Sequence, residues 1–99
     1  MILRIKPAAY QDLSRAMDFY EAQNLGLGAC FLETLRAEIE SLRLYAGIHP
    51  RFRLHYRLLA SRFPYAIYYK CENQTVTVWR VLDCRQDPDK VRERLESLR

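Results

Sequence analysis

Two glycines in the segment Leu25-Gly26-Leu27-Gly28 separate two long helical patterns, and this arrangement constrains the fold more than any other feature. From Ala8 to about Asn24 apolar residues recur every three or four positions, and the same spacing resumes after the glycines. Glycine tolerates the backbone angles that helix ends demand, so the segment predicts a tight connection. Helices joined by so short a loop pack antiparallel, and we therefore expect a helical hairpin with a shared apolar seam.

Each helix of the hairpin is predicted to have one apolar and one polar face. Gly47 suits the C-terminal cap of the second helix. The apolar seam is predicted to contain Ala9, Leu13, Ala16 and Tyr20 from the first helix and Leu27, Phe31, Leu35, Ile39, Leu42 and Tyr45 from the second. The polar faces are predicted to contain Asp12, Arg15, Asp18 and Glu21, and then Glu33, Arg36, Glu40 and Arg43.

Strand patterns precede and follow the hairpin. Residues Ile2–Lys6 predict a short strand that ends at Pro7, and three further strands are predicted after Pro50. Their predicted ranges are Leu54–Leu58, Arg62–Cys71 and Thr75–Asp83. Short polar turns, at Ala60-Ser61 and at Glu72-Asn73-Gln74, separate the last three strands, which indicates an antiparallel meander.

Side-chain alternation predicts which face of each strand is buried. In the first strand of the meander, Leu54, Tyr56 and Leu58 are expected on the buried face and Arg53, His55 and Arg57 on a basic outer face. In the third, Val76, Val78, Arg80 and Leu82 are expected on one face, and Thr77, Trp79 and Val81 on the other.

The middle strand contains the aromatic sequence RFPYAIYYK, residues 62–70. Phe63, Tyr65, Ile67 and Tyr69 share one face, which is suited to packing beneath two helices. A base-stacking platform on the other face would need more than Tyr68, so the core interpretation is favoured.

A final helix completes the predicted fold. Asp87 is suited to an N-cap and Pro88 to the first helical position, and Val91, Leu95 and Leu98 then form one apolar stripe. The element order is β-α-α-β-β-β-α, which predicts an α+β fold with an antiparallel helical hairpin packed on a small antiparallel sheet. Ninety-nine residues suit a single domain spanning residues 1–99.

Positive charge is concentrated in residues 51–85, which contain seven basic and two acidic side chains. Six of the seven are arginines, the residue best suited to bidentate contacts with phosphate or carboxylate. An anionic partner is therefore indicated, with a solvated basic surface as the alternative. Arg80 interrupts an apolar strand, so it is expected either to open onto a cleft or to pair with Asp83, Asp87 or a helix-borne glutamate.

The remaining composition argues for a cytoplasmic protein without a metal or cofactor. Three cysteines, an odd number with no C-x-x-C pair, and the absence of a signal-peptide pattern indicate a reducing compartment. No apolar run approaches the roughly 20 residues needed to span a bilayer. Neither histidine stands in ligand spacing with a cysteine, so no metal site is predicted.

Three segments together resemble the RelE/ParE superfamily, the toxins of bacterial type II toxin–antitoxin systems. They are Gly26-Leu27-Gly28 with Phe31 entering the second helix, RFPYAIYY, and the pattern V-x-V-x-R-V-L-D-C-R-Q-D-P from Val76 to Pro88. The resemblance covers nearly the whole chain and implies the fold described above. It also implies a plasmid-stabilisation or related growth-inhibition function, and a cognate antitoxin whose flexible, acidic segment wraps the toxin in a hetero-oligomer.

The resemblance leaves three functions open. ParE-like members block DNA gyrase, RelE-like members cleave messenger RNA on the ribosome without a metal, and a degenerate member would bind its antitoxin without being toxic. Metal-free RNA cleavage requires a base and a cation for the scissile phosphate. Candidates for these roles are Arg57, Arg62, Arg80 and Arg85, with His55 or Tyr56 as the base.

Residues that RelE-like enzymes use are missing here, which favours the ParE-like interpretation. Such enzymes have lysines on the early strands and a Tyr or His near the C-terminal end, whereas this chain has only Lys70 in its middle third and no Tyr or His after Tyr69. We therefore predict a toxin that binds a protein target such as gyrase. Its antitoxin- or target-binding residues are predicted to be Arg53, Arg57, Arg62, Arg80 and Arg85. Arg62 is expected at the entrance of a cleft whose other walls are Arg57, Arg80 and Arg85.

Overall fold

The computed structural model describes residues 1–96 and confirms the α+β fold. Its elements in chain order are β1 (Ile2–Ile5), α1 (Pro7–Gln23), α2 (Leu27–Tyr45), β2 (Arg51–Phe52), β3 (His55–Leu59), β4 (Tyr65–Glu72), β5 (Thr75–Asp83) and α3 (Pro88–Glu96). One sheet has the strand order β1-β5-β4-β3-β2. The meander is antiparallel as predicted, whereas β1 pairs with β5 in parallel, which makes the sheet mixed. No helix in this part of the chain is long and apolar enough to cross a membrane.

The helical hairpin covers one face of the sheet and encloses the larger core. Phe31, Leu35 and Leu42 of α2 are fully buried against Ile67 and Tyr69 of β4. Phe63 and Tyr65 pack there too, with Phe63 at 5.0 Å and Tyr65 at 6.2 Å, between ring centroids, from Tyr20 of α1. The core interpretation of the aromatic segment is confirmed. Tyr45 is wrong as a seam residue, because it lies at the last turn of α2 with 55% of its surface exposed.

The connection between the helices depends on Gly26 and Gly28. Gly26 has φ of +88°, in the left-handed region, and its N–H donates to the Glu21 carboxylate at 3.0 Å. The Gly28 N–H donates to Glu21 Oε1 at 2.9 Å, so a carboxylate from α1 caps the start of α2. Glu21 was predicted only as a solvent-facing residue.

Substituting Gly28 with alanine is expected to destabilise the hairpin. An added Cβ would lie 2.6 Å from the Met17 carbonyl oxygen and 2.9 Å from Glu21 Cβ. We expect the free energy of unfolding to fall by about 1–3 kcal/mol from overpacking, despite the better helix propensity of alanine. Urea unfolding measures the change. Glu33→Ala on the exposed face of α2 is the control, expected within about 0.5 kcal/mol of wild type, and equal stabilities of Gly28→Ala and wild type would contradict the close approach.

The second face of the sheet carries a smaller core beneath α3. Val91 and Leu95 of α3 pack with Ala66, Tyr68 and Leu82. Tyr68, considered above for an exposed face, is only 1% exposed. The predicted start of α3 is confirmed, since the Asp87 carboxylate accepts a hydrogen bond from the Asp89 N–H at 2.9 Å. Leu98, predicted on the same stripe, lies outside the described residues.

The predicted faces of β3 are wrong for Leu54 and His55. Leu54 is 72% exposed, whereas His55 is 6% exposed. The cause is the short strand β2, which folds back on β3 so that Phe52 pairs with His55. Arg53, with φ of +56°, and Leu54 form the turn between these strands, so Leu54 projects outward.

A bulge changes the faces of β5. Tyr69 pairs with Val78 and Tyr68 with Arg80, which leaves Trp79 as an extra residue between them. Beyond it the alternation is reversed: Val81 joins Val76 and Val78 in the larger core, whereas Leu82 packs with Trp79 in the smaller one. The predicted faces of Val81 and Leu82 are therefore wrong.

Candidate functional site

Two of the predicted arginines, Arg57 and Arg80, flank Tyr68 at the centre of the sheet. Arg57 of β3 pairs in register with Tyr68 of β4, which pairs with Arg80 of β5. Because adjacent strands are about 4.8 Å apart, the two arginine backbones are about 10 Å apart. Arg57 is half-buried, and its Nε donates to the Tyr68 hydroxyl at 3.2 Å. This hydrogen bond holds the Arg57 guanidinium group at the border of the smaller core, to which Tyr68 belongs.

Arg80 is held by a carboxylate from the helical hairpin. Its Nε and Nη2 donate to the two oxygens of Asp12, at 2.6 and 2.7 Å. The Val81 N–H donates to Asp12 Oδ2 at 3.0 Å. Arg80 is 8% exposed and Asp12 is 7% exposed. Pairing was one of the two outcomes expected for Arg80. The expected partners were Asp83, Asp87 or a helix-borne glutamate, whereas the observed partner is Asp12, which was assigned to the polar face of α1.

Arg62 and Arg85 lie in two segments that meet at one end of the sheet. A hydrogen bond of 2.9 Å from the Cys84 N–H to the Pro64 carbonyl joins the β3–β4 loop to the segment after β5. Both arginines are exposed, and Arg62 has φ of +71°. Arg85 forms a bidentate pair with Asp83, Nε to Oδ1 at 3.0 Å and Nη2 to Oδ2 at 2.7 Å. This pair lowers the pKa of Asp83 and raises that of Arg85, so both remain charged at neutral pH.

Of the two outer-face residues Arg53 and His55, only Arg53 is exposed as predicted. Arg53 is exposed in the turn after β2. His55 lies with its ring 4.8 Å from that of Trp79, and its Nε2 has no hydrogen-bond partner in the described part of the chain. Burial, the largest cause, acts together with the positive charges of Lys70, Arg51 and Lys6 to lower the pKa of His55 to about 4. His55 is therefore a neutral, enclosed side chain at physiological pH.

Tyr56, the other candidate base, belongs to an aromatic stack. Its ring lies 5.2 Å from that of Tyr69, between centroids, and the Arg51 guanidinium is 4.6 Å from its centroid. The structure thus places Arg57 and Arg80 on the two strands that flank β4, each bound to a different partner, and Arg62 and Arg85 in two segments joined by one hydrogen bond. His55 and Tyr56 pack among other aromatic rings.

Sequence reasoning missed a basic surface beside Trp79, which we name the Trp79 shelf. It consists of Arg4 of β1, Lys6 between β1 and α1, Lys70 of β4, and Thr75, Thr77 and Trp79 of β5, and it lines a groove of about 390 Å³. The alternation of Arg4 and Lys6 with Leu3 and Ile5 was visible in the sequence. Their proximity to residues 75–79 was not, because it depends on the parallel pairing of β1 with β5.

Comparisons with known proteins agree with this geometry. A family described as "ParE toxin of type II toxin-antitoxin system, parDE" matches residues 3–88. A solved structure described as "Chromosomal ParDE TA system from P. aeruginosa" is similar in fold, with a TM-score of 0.73 and 17% sequence identity, over 82% of this chain and 92% of that one. No curated protein matches the sequence.

Proposed function

The chain belongs to the ParE toxin family of type II toxin–antitoxin systems, within the RelE/ParE superfamily, and from this premise we propose that it inhibits growth by binding a protein target such as DNA gyrase. One observation carries the proposal. Two of the four arginines considered for phosphate chemistry, Arg80 and Arg85, already bind aspartates in bidentate pairs. Guanidinium groups held in this way are less suited to following a phosphate through a reaction, and of the two only Arg85 is exposed and can contribute to a fixed recognition surface.

The ribonuclease alternative needs a base, and the position of His55 argues against that role. A side chain with a pKa of about 4 has little driving force to accept a proton near pH 7, and only 6% of the residue is exposed. We therefore rank messenger RNA cleavage on the ribosome below target binding.

We also propose that a cognate antitoxin neutralises the protein in the cytoplasm, in a module that serves plasmid stabilisation or a similar growth control. The solved structure of similar fold is described as a ParDE toxin–antitoxin system, which supports such a partner for this chain. The exposed cations Arg53, Arg62 and Arg85, together with half-buried Arg57, are the proposed contacts for target or antitoxin. Arg80 was also predicted to be a contact, and we leave it out because only 8% of it is exposed and Asp12 occupies its guanidinium group.

Expression of the protein alone is expected to arrest growth and change plasmid supercoiling while transcripts stay intact. Arg85→Ala is expected to reduce toxicity severalfold without loss of stability, because the arginine is exposed and its partner lies near the surface. Growth curves, plasmid topology gels and mapping of messenger RNA ends measure these effects. Arg43→Ala is the matched control, since Arg43 also pairs with a nearby carboxylate, Glu40, on the exposed side of α2.

Two other outcomes of the expression experiment would indicate a different function, and a third would change the proposed binding surface. Cleavage of transcripts at codon positions would overturn the gyrase proposal in favour of the ribonuclease. Unaffected growth, with the protein folded and abundant, would indicate a degenerate member that only binds its antitoxin. Equal toxicity of Arg85→Ala and wild type would show that the end of the sheet that contains Arg85 does not bind the target.

A further inference from the structure

The Trp79 shelf carries more positive charge than its surroundings neutralise. Arg4, Lys6 and Lys70 line the groove, and none of them has an ion-pair partner among residues 1–96. One carboxylate, Glu72, also lines it, at the last residue of β4. The balance is therefore two positive charges in a groove of about 390 Å³. Such a cluster, partly exposed on rigid strands, suits an anionic ligand.

The lysines are held in place by the indole ring. Lys6 Nζ lies 3.8 Å and Lys70 Nζ 4.5 Å from the centroid of Trp79. Cation–π contacts of this kind orient an ammonium group without neutralising its charge. The positive field reaches the interior, since Lys70 and Lys6 both lower the pKa of His55, after the larger effect of burial.

The spacing of the shelf matches an extended chain. Arg4 of β1 pairs in parallel register with Thr77 of β5. Lys6 follows β1 with an extended backbone, and its N–H donates to the Val78 carbonyl at 2.9 Å, so it continues the same alternation. Alternate side chains of a strand are about 6.6 Å apart, so carboxylates at every second position of an extended peptide have the same repeat. β1 is also an edge strand, which leaves space beside the shelf for such a peptide.

A single-stranded nucleic acid fits the shelf less well than a peptide. Proteins that bind single strands stack bases on exposed aromatic faces. Trp79 is the only tryptophan of the chain, and the ammonium groups of two lysines already lie over its ring. A base could stack on Trp79 only if it displaced these ammonium groups. A carboxylate can bind the same ammonium groups where they lie.

We propose that the Trp79 shelf is a second protein-interaction site, which binds an extended partner segment with carboxylates at alternating positions. The inference goes beyond the proposed function, because the shelf lies near β1 and contains none of the arginines assigned to the target or antitoxin. The proposed peptide site does not depend on whether the toxin's target is DNA gyrase or another molecule.

The test uses the full chain and a ten-residue probe peptide of alternating glutamate and serine. Because Trp79 is the sole tryptophan, its fluorescence reports occupancy directly, and calorimetry gives the dissociation constant. We expect binding that changes Trp79 emission, and a loss of affinity of at least tenfold in the double variant Lys6→Gln/Lys70→Gln. Lys90→Gln, at an exposed lysine of α3, is the control and is expected to stay within twofold of wild type.

Further probes separate the alternatives. A peptide with lysine in place of each glutamate is expected not to bind, and a ten-nucleotide single strand is expected to bind more weakly than the acidic peptide. If the double variant unfolds, Arg4→Gln replaces it, because Arg4 is exposed. Peptide affinity unchanged by these variants would overturn the site, and tighter, lysine-dependent binding of the oligonucleotide would overturn the assignment to a peptide. Toxicity in cells is a separate measurement, so failure here leaves the proposed function standing.

Discussion

Replacing Asp12 with alanine is expected to lower the free energy of unfolding by about 3–5 kcal/mol, the largest effect we predict, because it leaves the Arg80 guanidinium buried without a counter-charge. Asp12 accepts two hydrogen bonds from Arg80 and one from the Val81 N–H, at 2.6 to 3.0 Å. The arginine side chain is only 10% exposed and the aspartate side chain 5%, so water cannot replace these bonds. Urea unfolding followed by circular dichroism measures the loss.

A double-mutant cycle isolates the interaction energy between Asp12 and Arg80 from the contacts that each makes with other residues. The double variant Asp12→Ala/Arg80→Ala is expected to be less destabilised than the sum of the two single variants, because neither charge is then left alone. Asp18→Ala, at an exposed aspartate of the same helix, is the control and is expected within about 0.5 kcal/mol of wild type. A loss below about 1 kcal/mol in Asp12→Ala would mean that Arg80 finds another partner or reaches solvent.

The pair changes how Arg80 variants should be interpreted. The sequence alone placed Arg80 among the target- or antitoxin-binding residues, which implies that Arg80→Ala reduces toxicity through lost binding. In the structure it would leave Asp12 buried and unpaired, so lost toxicity could follow from lost folding alone. Arg85→Ala does not have this ambiguity, since the Arg85 side chain is 67% exposed. Arg85 is therefore the better residue for testing whether the proposed arginine contacts are needed for toxicity.

Local patterns were sufficient to predict most elements of the fold. The bounds of β5 were predicted as Thr75–Asp83, as observed, because turn residues and β-branched residues define them locally. The hairpin followed from two glycines, and the beginning of α3 from Asp87 and Pro88. Each of these signals lies within a few residues of the element that it specifies.

Features that depend on distant pairings were missed. Asp12 and Arg80 are 68 residues apart in sequence, and the helical pattern of α1 alone placed the aspartate on the polar face. The bulge at Trp79 reversed the faces of Val81 and Leu82, and nothing in a period-two pattern marks such an extra residue. The Trp79 shelf combines β1, β4 and β5, so it could not be recognised before the strand order was known.

His55 is expected to make the protein less stable in mild acid. Its pKa is about 4 in the folded protein, below the ordinary value of 6.5 that the unfolded chain retains. Protons therefore bind preferentially to the unfolded state, so stability is complete above about pH 6.5 and falls as the pH decreases towards 4. Linkage gives a loss of about 2–3 kcal/mol between pH 7 and pH 4.5 from this residue.

The cause lies in the groups around the ring. Burial has the largest effect, and Lys70 of β4, Arg51 of β2 and Lys6, which lies between β1 and α1, add positive charge. Trp79 of β5 covers the ring at 4.8 Å, and from α3 Arg92 and Glu96 line the same cavity. A protonated His55 would thus hold its charge among cations, with Nε2 lacking an acceptor within residues 1–96.

The variant His55→Phe isolates this contribution, because phenylalanine preserves an aromatic contact with Trp79 and cannot titrate. Between pH 7 and pH 4.5 the variant is expected to lose about 2–3 kcal/mol less stability than wild type, as measured by urea unfolding at each pH. The His55 ring proton, assigned in NMR spectra by its absence from the variant, should titrate with a midpoint near 4. Equal losses in the two proteins, or a midpoint near 6.5, would show that the side chain is hydrated and that β2 and α3 do not enclose it.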